Sequence, residues 1–382
     1  MYKSFKYEIT PSGEQKIFLN KQFGCCRFIW NYILSSIDTN NLIKGDINSY
    51  YHKWSGRHLT KLIPGIKNSH PFLNEVSSVA LQQKILDLGD AIYGFISKKG
   101  IQKPRLKKKH GTQSVRLMAN AFTLRNNQVY IAKCKEPIKV LWSRALPSRP
   151  LRATITMGVD GRYSICFLCE VNPAPIKKTN GIIGIDLGLT YFATLSTGEK
   201  IPNPRFINQS LPRLRRAQRS LSKKCVGSKN REKARLKVAK LHRSIIDARN
   251  DFHHKLSRQL INKNQVIAVE DLSILHMVKN RKLSRHISDA GWKSFLTKLT
   301  EKTIESQHTV LVYCDKWFPS TQLCSNCGYL PTRENKLSLG DRSWICPKCS
   351  TTHDRDINAA INLKNAASQV DPRKNPGGVV LI

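Results

Sequence analysis

The sequence predicts a mixed α/β and β protein of several domains. Alternating strands follow residue 110, buried strands and helices follow residue 180, and two Cys-x2-Cys pairs stand near the end of the chain. The length of 382 residues points the same way, because one domain averages roughly 150 residues. We expect two or three domains, each with its own core, and small modules inserted within them.

The first hundred residues predict one strand and two long helices. Phe5, Tyr7 and Ile9 alternate with polar residues, as in a half-buried strand. Residues 12–15 (Ser-Gly-Glu-Gln) have the form of a capping box and precede an apolar helical stripe. A second stripe runs over residues 77–95. We expect the aromatic residues of both helices to lie in the core and not to act as base-stacking platforms.

A run of basic residues from 98 to 110 is broken by Gly and Pro, so it cannot form one long helix. A solvated loop is the simplest interpretation of such a run. In so basic a chain we favour a grip on nucleic-acid phosphates, with a steep dependence on salt. The residues expected to bind are Lys98, Lys99, Lys103, Arg105, Lys107, Lys108 and Lys109.

Residues 121–171 alternate between apolar and polar positions, as strands do. The predicted strands are 121–131, 138–142, 152–157 and 163–171, with turns at Asn126-Asn127 and Asp160-Gly161. They indicate an antiparallel, barrel-like module. Cys166 and Cys169 stand three apart on one strand and point to opposite faces, so we interpret them as core cysteines instead of a metal site.

Residues 173–180 have the composition of a linker, and a new domain is predicted after them. Residues 181–188 form a buried-strand pattern that ends in Asp186, and two hairpin strands are predicted through residue 201. A strand, an acid and a hairpin in this order are typical of an RNase H-like fold. Taken alone, Asp186 is equally consistent with a turn.

Residues 211–262 predict two very basic helices with a break near residues 225–229, and a later helix is predicted over 289–306. Almost no acids balance the basic side chains, so we favour the wall of a nucleic-acid channel over a merely solvated face. The arginines concerned are Arg213, Arg215, Arg216, Arg219, Arg231, Arg235 and Arg243.

Two further acids follow elements of the same predicted domain. Residues 266–272 are a buried strand that ends in acid at Glu270, and Asp356 opens a helix. An RNase H-like sheet sets its first strand beside its fourth and packs its last helix across their ends, so Asp186, Glu270 and Asp356 would converge. Three carboxylates can hold two Mg²⁺ or Mn²⁺ ions about 4 Å apart. The chemistry expected of such a site is in-line attack of water on a phosphodiester.

Four cysteines form two Cys-x2-Cys pairs, Cys324 with Cys327 and Cys346 with Cys349. This spacing lets two thiolate pairs close on one tetrahedral Zn²⁺. The remaining cysteines of the 11 lie mostly among apolar neighbours, so a reducing cytoplasm fits them better than disulfides do.

The charge balance predicts a polyanionic partner. The chain has 64 Lys and Arg against 26 Asp and Glu, a net charge of +38, which exceeds what solubility requires and favours nucleic acid over an inert basic surface or an anionic membrane. No apolar run approaches the roughly 20 residues of a membrane span, and the alternating start lacks a signal-peptide core. We expect a soluble, non-exported protein with no membrane partner.

Five stretches resemble one known family. They are residues 184–188 (Gly-Ile-Asp-Leu-Gly), 270–272 (Glu-Asp-Leu), 317–320 (Trp-Phe-Pro-Ser), 354–360 (Asp-Arg-Asp-Ile-Asn-Ala-Ala) and the N-terminal 7–31. Together they resemble the TnpB family of transposon-encoded, RNA-guided DNA nucleases, compact relatives of type V CRISPR effectors. The resemblance implies a guide RNA derived from the transposon end and a double-stranded DNA target read next to a short motif.

The resemblance also implies a domain plan: a RuvC-like (RNase H-like) nuclease domain with an inserted zinc ribbon, and an N-terminal β-barrel (wedge) with a helical recognition insert. The implied bounds are 1–10 and 111–172 for the barrel, 11–110 for the recognition domain, 173–180 for the linker, 181–319 and 351–366 for the nuclease domain, 320–350 for the ribbon and 367–382 for a disordered tail.

Residue roles follow from the same resemblance. Asp186, Glu270 and Asp356 are the implied catalytic ligands of Mg²⁺ or Mn²⁺, and the four paired cysteines are the implied ligands of Zn²⁺. Asp356 is preferred to Asp354 because the family motif is Asp-x-Asn-Ala. Ser350 departs from the Gly that commonly follows the last cysteine, but it removes no ligand. Polar residues offered for reading the motif beside the target are Ser77, Ser78, Gln82 and Gln83.

Two other functions stay open at this point. A nuclease-silent protein that uses guide RNA to occupy DNA and repress transcription would share the charge and the ribbon, but the intact acid triad argues against it. An accessory transposase would need a dedicated nucleophile, and none of the 11 Tyr stands out for that role. We expect a monomer in a prokaryotic cytoplasm, associated with the nucleoid.

Overall fold

The computed structural model describes residues 1–37, 42, 44–98, 100–172, 180–332, 334–338 and 340–382. The chain divides into two compact units, Met1–Asn172 and Pro173–Ile382. Most of the predicted linker and Lys99 of the basic run lie outside the described residues.

The first unit is built on one antiparallel sheet. Its strands are β1 (Tyr2–Ile9), β2 (Gln113–Met118), β3 (Phe122–Arg125), β4 (Gln128–Ile131), β5 (Ile138–Leu141), β6 (Arg152–Met157) and β7 (Tyr163–Glu170). Their spatial order is β2-β6-β7-β1-β5-β4-β3. β1 therefore pairs with β7 along its whole length, and its end also pairs with β5.

The helices of the first unit are inserted between β1 and β2. They are α1 (Gly13–Ser36), α2 (Ile47–Ser49), α3 (Gly56–Thr60), α4 (Ile63–Ser69) and α5 (Ser78–Ser97), with a π-helical turn at Tyr50–Trp54 and a 3₁₀ turn at Pro71–Glu75. α1 begins at the predicted capping box, in which Gln15 N–H donates to Ser12 Oγ and Ser12 N–H donates to Gln15 Oε1. The apolar faces of α1 and α5 share one core with the sheet.

Two details of the first sheet refine the sequence analysis. β2 was missed there, although Val115 and Leu117 alternate with polar residues and are buried. The hairpin between β3 and β4 is turned by Asn126 and Asn127, whose φ angles of 48° and 58° are the left-handed values that a two-residue turn requires. Cys169 is a buried core residue, as predicted.

The second unit contains a six-stranded sheet and a small hairpin. The strands are β8 (Ile182–Leu187), β9 (Tyr191–Leu195), β10 (Lys200–Pro202), β11 (Val266–Glu270), β12 (Val310–Cys314), β13 (Ser343–Ile345), β14 (Thr352–Asp354) and β15 (Val379–Leu381). The sheet order is β10-β9-β8-β11-β12-β15, and β13 pairs only with β14. β8, β9 and β10 form an antiparallel meander, whereas β8, β11, β12 and β15 run parallel.

Helices cover both faces of the six-stranded sheet. They are α6 (Phe206–Ser222), α7 (Lys229–Lys263), α8 (Ile274–Met277), α9 (Ser284–Ala290), α10 (Trp292–Ser306) and α11 (Arg355–Ala367). Residues of α7, α9 and α10 share a core with Ile183, Ile185 and Ile267 on one face. On the other face, α11 packs Leu363 and Ala367 against β11 and β12.

Two expectations about this unit are corrected. The helix predicted over 289–306 is α10, which begins only at Trp292, because Gly291 has a φ of 67° and separates it from α9. The tail over 367–382 was expected to be disordered, but β15 pairs with β12, with Val379 opposite Leu311 and Leu381 opposite Tyr313. Val379 and Val380 are β-branched and suit a strand, and they extend the sheet at its β12 edge. No helix in the described part of the chain is long and apolar enough to cross a membrane.

Candidate active site and zinc centre

Asp186 and Glu270 lie on one face of the second sheet, at the ends of adjacent strands. β8 and β11 pair in parallel up to Ile185 opposite Val269, and the two acids are the next residues along. Side chains alternate along a strand, so both acids point away from the core that contains Ile185 and Val269. They point to the face that α11 covers.

Small residues let α11 lie directly on that face. Gly184 precedes Asp186 by two positions and faces the same way, and a Cβ atom there would collide with the Ala360 carbonyl oxygen. Ala359 and Ala360 are themselves fully buried. The absence of a side chain at position 184 therefore brings the start of α11, and with it Asp356, to the two strand ends.

The two acids at the start of α11 have different surroundings. Asp354 is the N-cap of α11: its Oδ1 accepts hydrogen bonds from the N–H groups of Asp356 and Ile357, each at 3.1 Å. Its Oδ2 accepts a hydrogen bond from Lys200 Nζ at 2.6 Å. Burial opposes ionisation of Asp354, but these bonds hold its pKa below the ordinary value. Asp356 carries one longer ion pair, 3.6 Å from its Oδ1 to Arg342 Nη1.

The charges of the other two acids act on Asp186. Burial, the largest cause, together with the charges of Glu270 and Asp356 raises the pKa of Asp186 to about 8, against the opposing effect of Arg355 and Arg342. A cation bound beside these carboxylates would offset the negative charge that raises the pKa of Asp186. Hard carboxylate oxygens in that situation fit Mg²⁺ or Mn²⁺.

The four predicted cysteines form the most compact cluster. Among the described residues, Cys324, Cys327, Cys346 and Cys349 are the one group of Cys, His, Asp or Glu placed to hold a metal ion, with ligand atoms all within 4.8 Å of one another. The Sγ–Sγ distances are 3.7 Å for Cys324 to Cys349 and 3.6 Å for Cys327 to Cys346. Zn–S bonds of about 2.3 Å place tetrahedral sulfurs about 3.8 Å apart, so the cluster fits zinc.

The two cysteine pairs stand in matching backbone loops. Gly328 N–H donates to the Cys324 carbonyl at 2.9 Å, and Ser350 N–H donates to the Cys346 carbonyl at 2.8 Å. Gly328 and Ser350 hold equivalent positions, with φ angles of 72° and 55°. A left-handed backbone favours Gly, so Ser350 is the strained one of the two residues.

Polar and aromatic groups surround the sulfurs. His353 Nε2 lies 3.1 Å from Cys324 Sγ, and the His353 ring lies 4.8 Å from the Trp344 ring. Asn326 Nδ2 donates to Cys349 Sγ, and Thr351 Oγ1 lies 3.3 Å from the same sulfur. The bonds from Thr351 lower the pKa of Cys349, and hydrogen bonds of this kind around the sulfurs suit a metal site.

A short segment joins the zinc centre to the acid site. We call Ser320–Ser325 the bracket. Asn362 Nδ2 donates to the carbonyls of Ser320 and Leu323, each at 2.7 Å, and Asn358 Nδ2 also donates to Leu323. At the other side, Ser320 Oγ donates to Glu270 Oε1. The bracket thus contacts β11, which carries Glu270, and α11, which carries Asp356, and it contains Cys324 of the cysteine cluster.

Sequence reasoning missed the roles of Ser320, Asn358 and Asn362, although two of them stand in the stretches that it singled out. All three are buried, with at most 2% of their surface exposed. A polar residue so deeply buried needs a partner, but the sequence alone does not reveal which one. The same is true of Lys200, which is remote in sequence from Asp354.

The predicted nucleic-acid residues are mostly at the surface. The exposed ones are Lys98, Lys103, Arg105, Lys107, Lys108, Lys109, Arg213, Arg215, Arg216, Arg219, Ser78 and Gln82, and Gln83 is half-buried. Ser77 is a correction: only 5% of it is exposed, because it caps α5 from within the core. Three further arginines are engaged internally: Arg231 donates to two carbonyls at the end of α6, Arg235 pairs with Glu232, and Arg243 pairs with Asp247.

Three family models match the chain. One described as "Probable transposase" matches residues 164–281, one described as "Cas12f1-like, TNB domain" matches 292–363, and one described as "Helix-turn-helix domain" matches 1–40. The described part of the last range holds strand β1 and one long helix, α1.

Curated relatives cover nearly the whole chain. A protein of Streptomyces pristinaespiralis named "Putative RNA-guided DNA endonuclease" is 41% identical over 364 residues, which is 94% of this chain and 88% of that protein. The Escherichia coli K12 protein of the same name with the suffix InsQ is 26% identical over 395 residues, 96% of this chain and 93% of that protein. A solved structure, "Cryo-EM structure of the Cas12f1-sgRNA-target DNA complex", covers 96% of this chain and 99% of its own at 14% identity, with a TM-score of 0.46.

Proposed function

This chain belongs to the TnpB family, and from that premise we propose that it is an RNA-guided, divalent-metal-dependent DNA endonuclease of a transposable element. Its substrate is double-stranded DNA that matches a guide RNA from the transposon end and carries a short adjacent motif. The observation that carries the proposal is the convergence of Asp186, Glu270 and Asp356 on one face of one sheet, where their charges raise the pKa of Asp186.

The sheet topology supports an RNase H-like (RuvC-like) assignment for the second unit. An antiparallel meander of three strands is followed by parallel strands, and the first strand β8 lies beside the fourth, β11. In this proposal the nuclease domain comprises residues 181–319 and 351–366, and residues 320–350 form the inserted zinc ribbon. The first unit corresponds to a wedge barrel with a recognition insert at 11–110.

In this proposal the acids, their hydrogen-bond partners and the cysteines have separate roles. Asp186, Glu270 and Asp356 hold the catalytic cations, which when bound would activate water and stabilise the leaving 3′ oxygen. Ser320 orients the Glu270 carboxylate, and Asp354 fixes the start of α11 through its backbone bonds and Lys200. The four cysteines hold a structural zinc whose coordination leaves no open position for substrate.

The basic surfaces supply affinity without sequence information. The exposed arginines of α6 and the exposed lysines of the 98–110 run neutralise phosphates, while pairing with the guide reads the target. A nuclease-silent repressor would need the same surfaces but not three converging acids, and for this reason we rank it second.

The test is cleavage by the protein purified with its copurifying RNA. A plasmid that matches the RNA guide should be cut with Mg²⁺ and left intact with a chelator, and Asp186→Ala should abolish cutting while RNA and target binding persist. Asp371→Ala is the matched control, because Asp371 pairs only with its neighbour Arg373 at the surface. A plasmid left uncut under both conditions would refute the nuclease and favour the repressor.

A further inference from the structure

One face of α1 borders an open groove and is only partly buried. Gly24, Arg27, Phe28, Asn31, Tyr32 and Ser35 recur at helical spacing and line an open groove of about 580 Å³. We call it the α1 groove. The opposite face of the helix carries Leu19, Phe23, Cys26, Ile29 and Ile33, all buried.

Aromatic rings form one side of the α1 groove. The Phe28 ring lies 5.6 Å from Tyr32 and 5.0 Å from Phe72, and the Tyr32 ring lies 5.1 Å from His70. Tyr32 and Phe72 leave 41% and 42% of their surface exposed. Rings exposed to this extent offer faces on which a base could stack. Tyr32 departs from the expectation that the aromatic residues of α1 lie in the core.

Part of the basic run is hydrogen-bonded to α1 beside the groove. Asn31 bonds the backbone of Lys107 in both directions, at 2.8 and 3.0 Å, and Trp30 Nε1 donates to the Arg105 carbonyl at 3.0 Å. Gln113 Nε2 donates to carbonyls at residues 108, 109 and 111, and Arg27 holds Gln113 by a 2.9 Å bond. Residues 105–111 of the basic run are thus held against α1 by their main chain, and the side chains of Lys108 and Lys109 are exposed. Ordering the run in advance reduces the entropy that binding would cost.

Gly24 is a glycine in a helix that internal packing does not explain. It lies in the middle of α1, where Gly costs about 0.5–1 kcal/mol relative to Ala. Packing gives no reason for it: a Cβ atom there would meet only the Arg27 guanidinium, at 4.0 Å. A helical Gly that faces a groove without internal need leaves room for something outside the chain.

From these contacts we propose that the α1 groove binds an unpaired nucleotide of a nucleic-acid strand, with its base against Phe28 and Tyr32 and its phosphate near Arg27 and the basic run. Charge complementarity supports a nucleotide: Arg27 lines the groove, exposed lysines lie beside it, and Glu75 is paired with Lys21 at 2.6 Å. The identity of the strand rests on the proposed function, which makes guide RNA the first candidate and target DNA the second.

The test measures binding of labelled copurifying RNA, and separately of a labelled single-stranded DNA, by the full-length protein. Gly24→Ala should place a methyl group in the groove and weaken binding at least about 5-fold. Its thermal stability should stay equal or rise, because Ala favours the helix. Tyr32→Ala should weaken binding by about 5- to 150-fold and leave the salt dependence unchanged, since it removes stacking and not charge. Ile17→Ala is the control, being exposed on α1 outside the groove.

The outcomes separate the strands and the two proposals. Loss confined to RNA, or confined to DNA, supports the groove and identifies its strand. Unchanged binding of both strands by Gly24→Ala and Tyr32→Ala would overturn the groove, even if Mg²⁺-dependent cleavage is intact. Conversely, if the natural protein never cuts DNA but Gly24→Ala and Tyr32→Ala weaken nucleic-acid binding, the groove proposal is upheld and the nuclease proposal is overturned.

Discussion

Gly184 on β8 and Ala360 on α11 are packed backbone to backbone, so closely that position 184 has no room for a side chain. The same Gly184 stands two residues before Asp186, and Ala360 stands four residues after Asp356. The distance between the strand and the helix therefore also sets the distance between two of the three acids.

Gly184→Ala adds only one methyl group, but we expect it to disrupt the site formed by the three acids. The new methyl group would press on the backbone of α11, which cannot move aside as a side chain could, and overpacking of this kind costs about 1–3 kcal/mol. We expect lower stability in chemical denaturation and loss of cleavage. Gly65→Ala is the control, because a Cβ atom at Gly65 meets nothing within 4 Å; full activity in Gly184→Ala would mean that α11 does not position Asp356.

Asp354 and Asp356 should respond differently to neutralisation. Asp356→Asn removes a proposed metal ligand, so cleavage should fall by more than the roughly 10- to 100-fold typical of losing an outer partner of a metal site. Asp354→Asn keeps a residue able to cap α11 and should mainly weaken the bond to Lys200. Cleavage rates at several Mg²⁺ concentrations distinguish the two, and equal losses would contradict the assignment of Asp356 as the ligand.

Metal-free protein should lose stability as the pH rises. The pKa of Asp186 is raised to about 8 in the folded chain, from 3.8 as its ordinary value. The folded state thus holds this proton more tightly than the unfolded state, and stability is full below about pH 4 and declines toward pH 8, by at most about 1.4 kcal/mol per pH unit.

Asp186→Asn supplies the comparison for that measurement. Denaturation in the presence of a chelator at pH 5 to 8 should show a steeper decline for the natural sequence than for Asp186→Asn. Added Mg²⁺ should restore stability to the natural sequence alone, since the variant lacks the charge that the cation neutralises. Parallel curves for both proteins would show that Asp186 is ionised in the folded state without metal.

Ser350→Gly should stabilise the zinc ribbon. Ser350 has a φ of 55°, and a non-Gly residue in this region is strained by about 1–3 kcal/mol, part of which Gly recovers at the expense of extra freedom in the unfolded chain. We expect slower release of zinc to a chelator, with zinc content unchanged. Gly328→Ser, the reverse change in the matching loop, should accelerate release.

The positions of the acids could be predicted from sequence, whereas the contacts that orient them could not. A buried strand that ends in an acid is visible in residues 181–188 and again in 266–270, and four cysteines at zinc spacing identify their own partners. Nothing in the sequence pairs Ser320 with Glu270 or Lys200 with Asp354, because these bonds depend on how the chain returns to the sheet.

Element ends were the least predictable part of the fold. Gly291 divides a helix that its apolar pattern makes continuous, since a left-handed residue leaves no mark on periodicity. β15 was missed because three residues are too few to show alternation, and its strand exists only through its neighbour β12.

The place of β1 in the first sheet governs the order in which the unit can form. Tyr2 pairs with Glu170 and Ile9 pairs with Tyr163. β1 is the first strand of this unit to be synthesised, and its main partner β7 is the last. The helical insert can compact while synthesis continues, but the sheet closes around β1 only after β7 has emerged. Contacts so remote in sequence slow folding. Until β7 emerges, only the end of β1 has a partner, β5, and a chaperone or a neighbouring nascent chain could capture the rest of the strand.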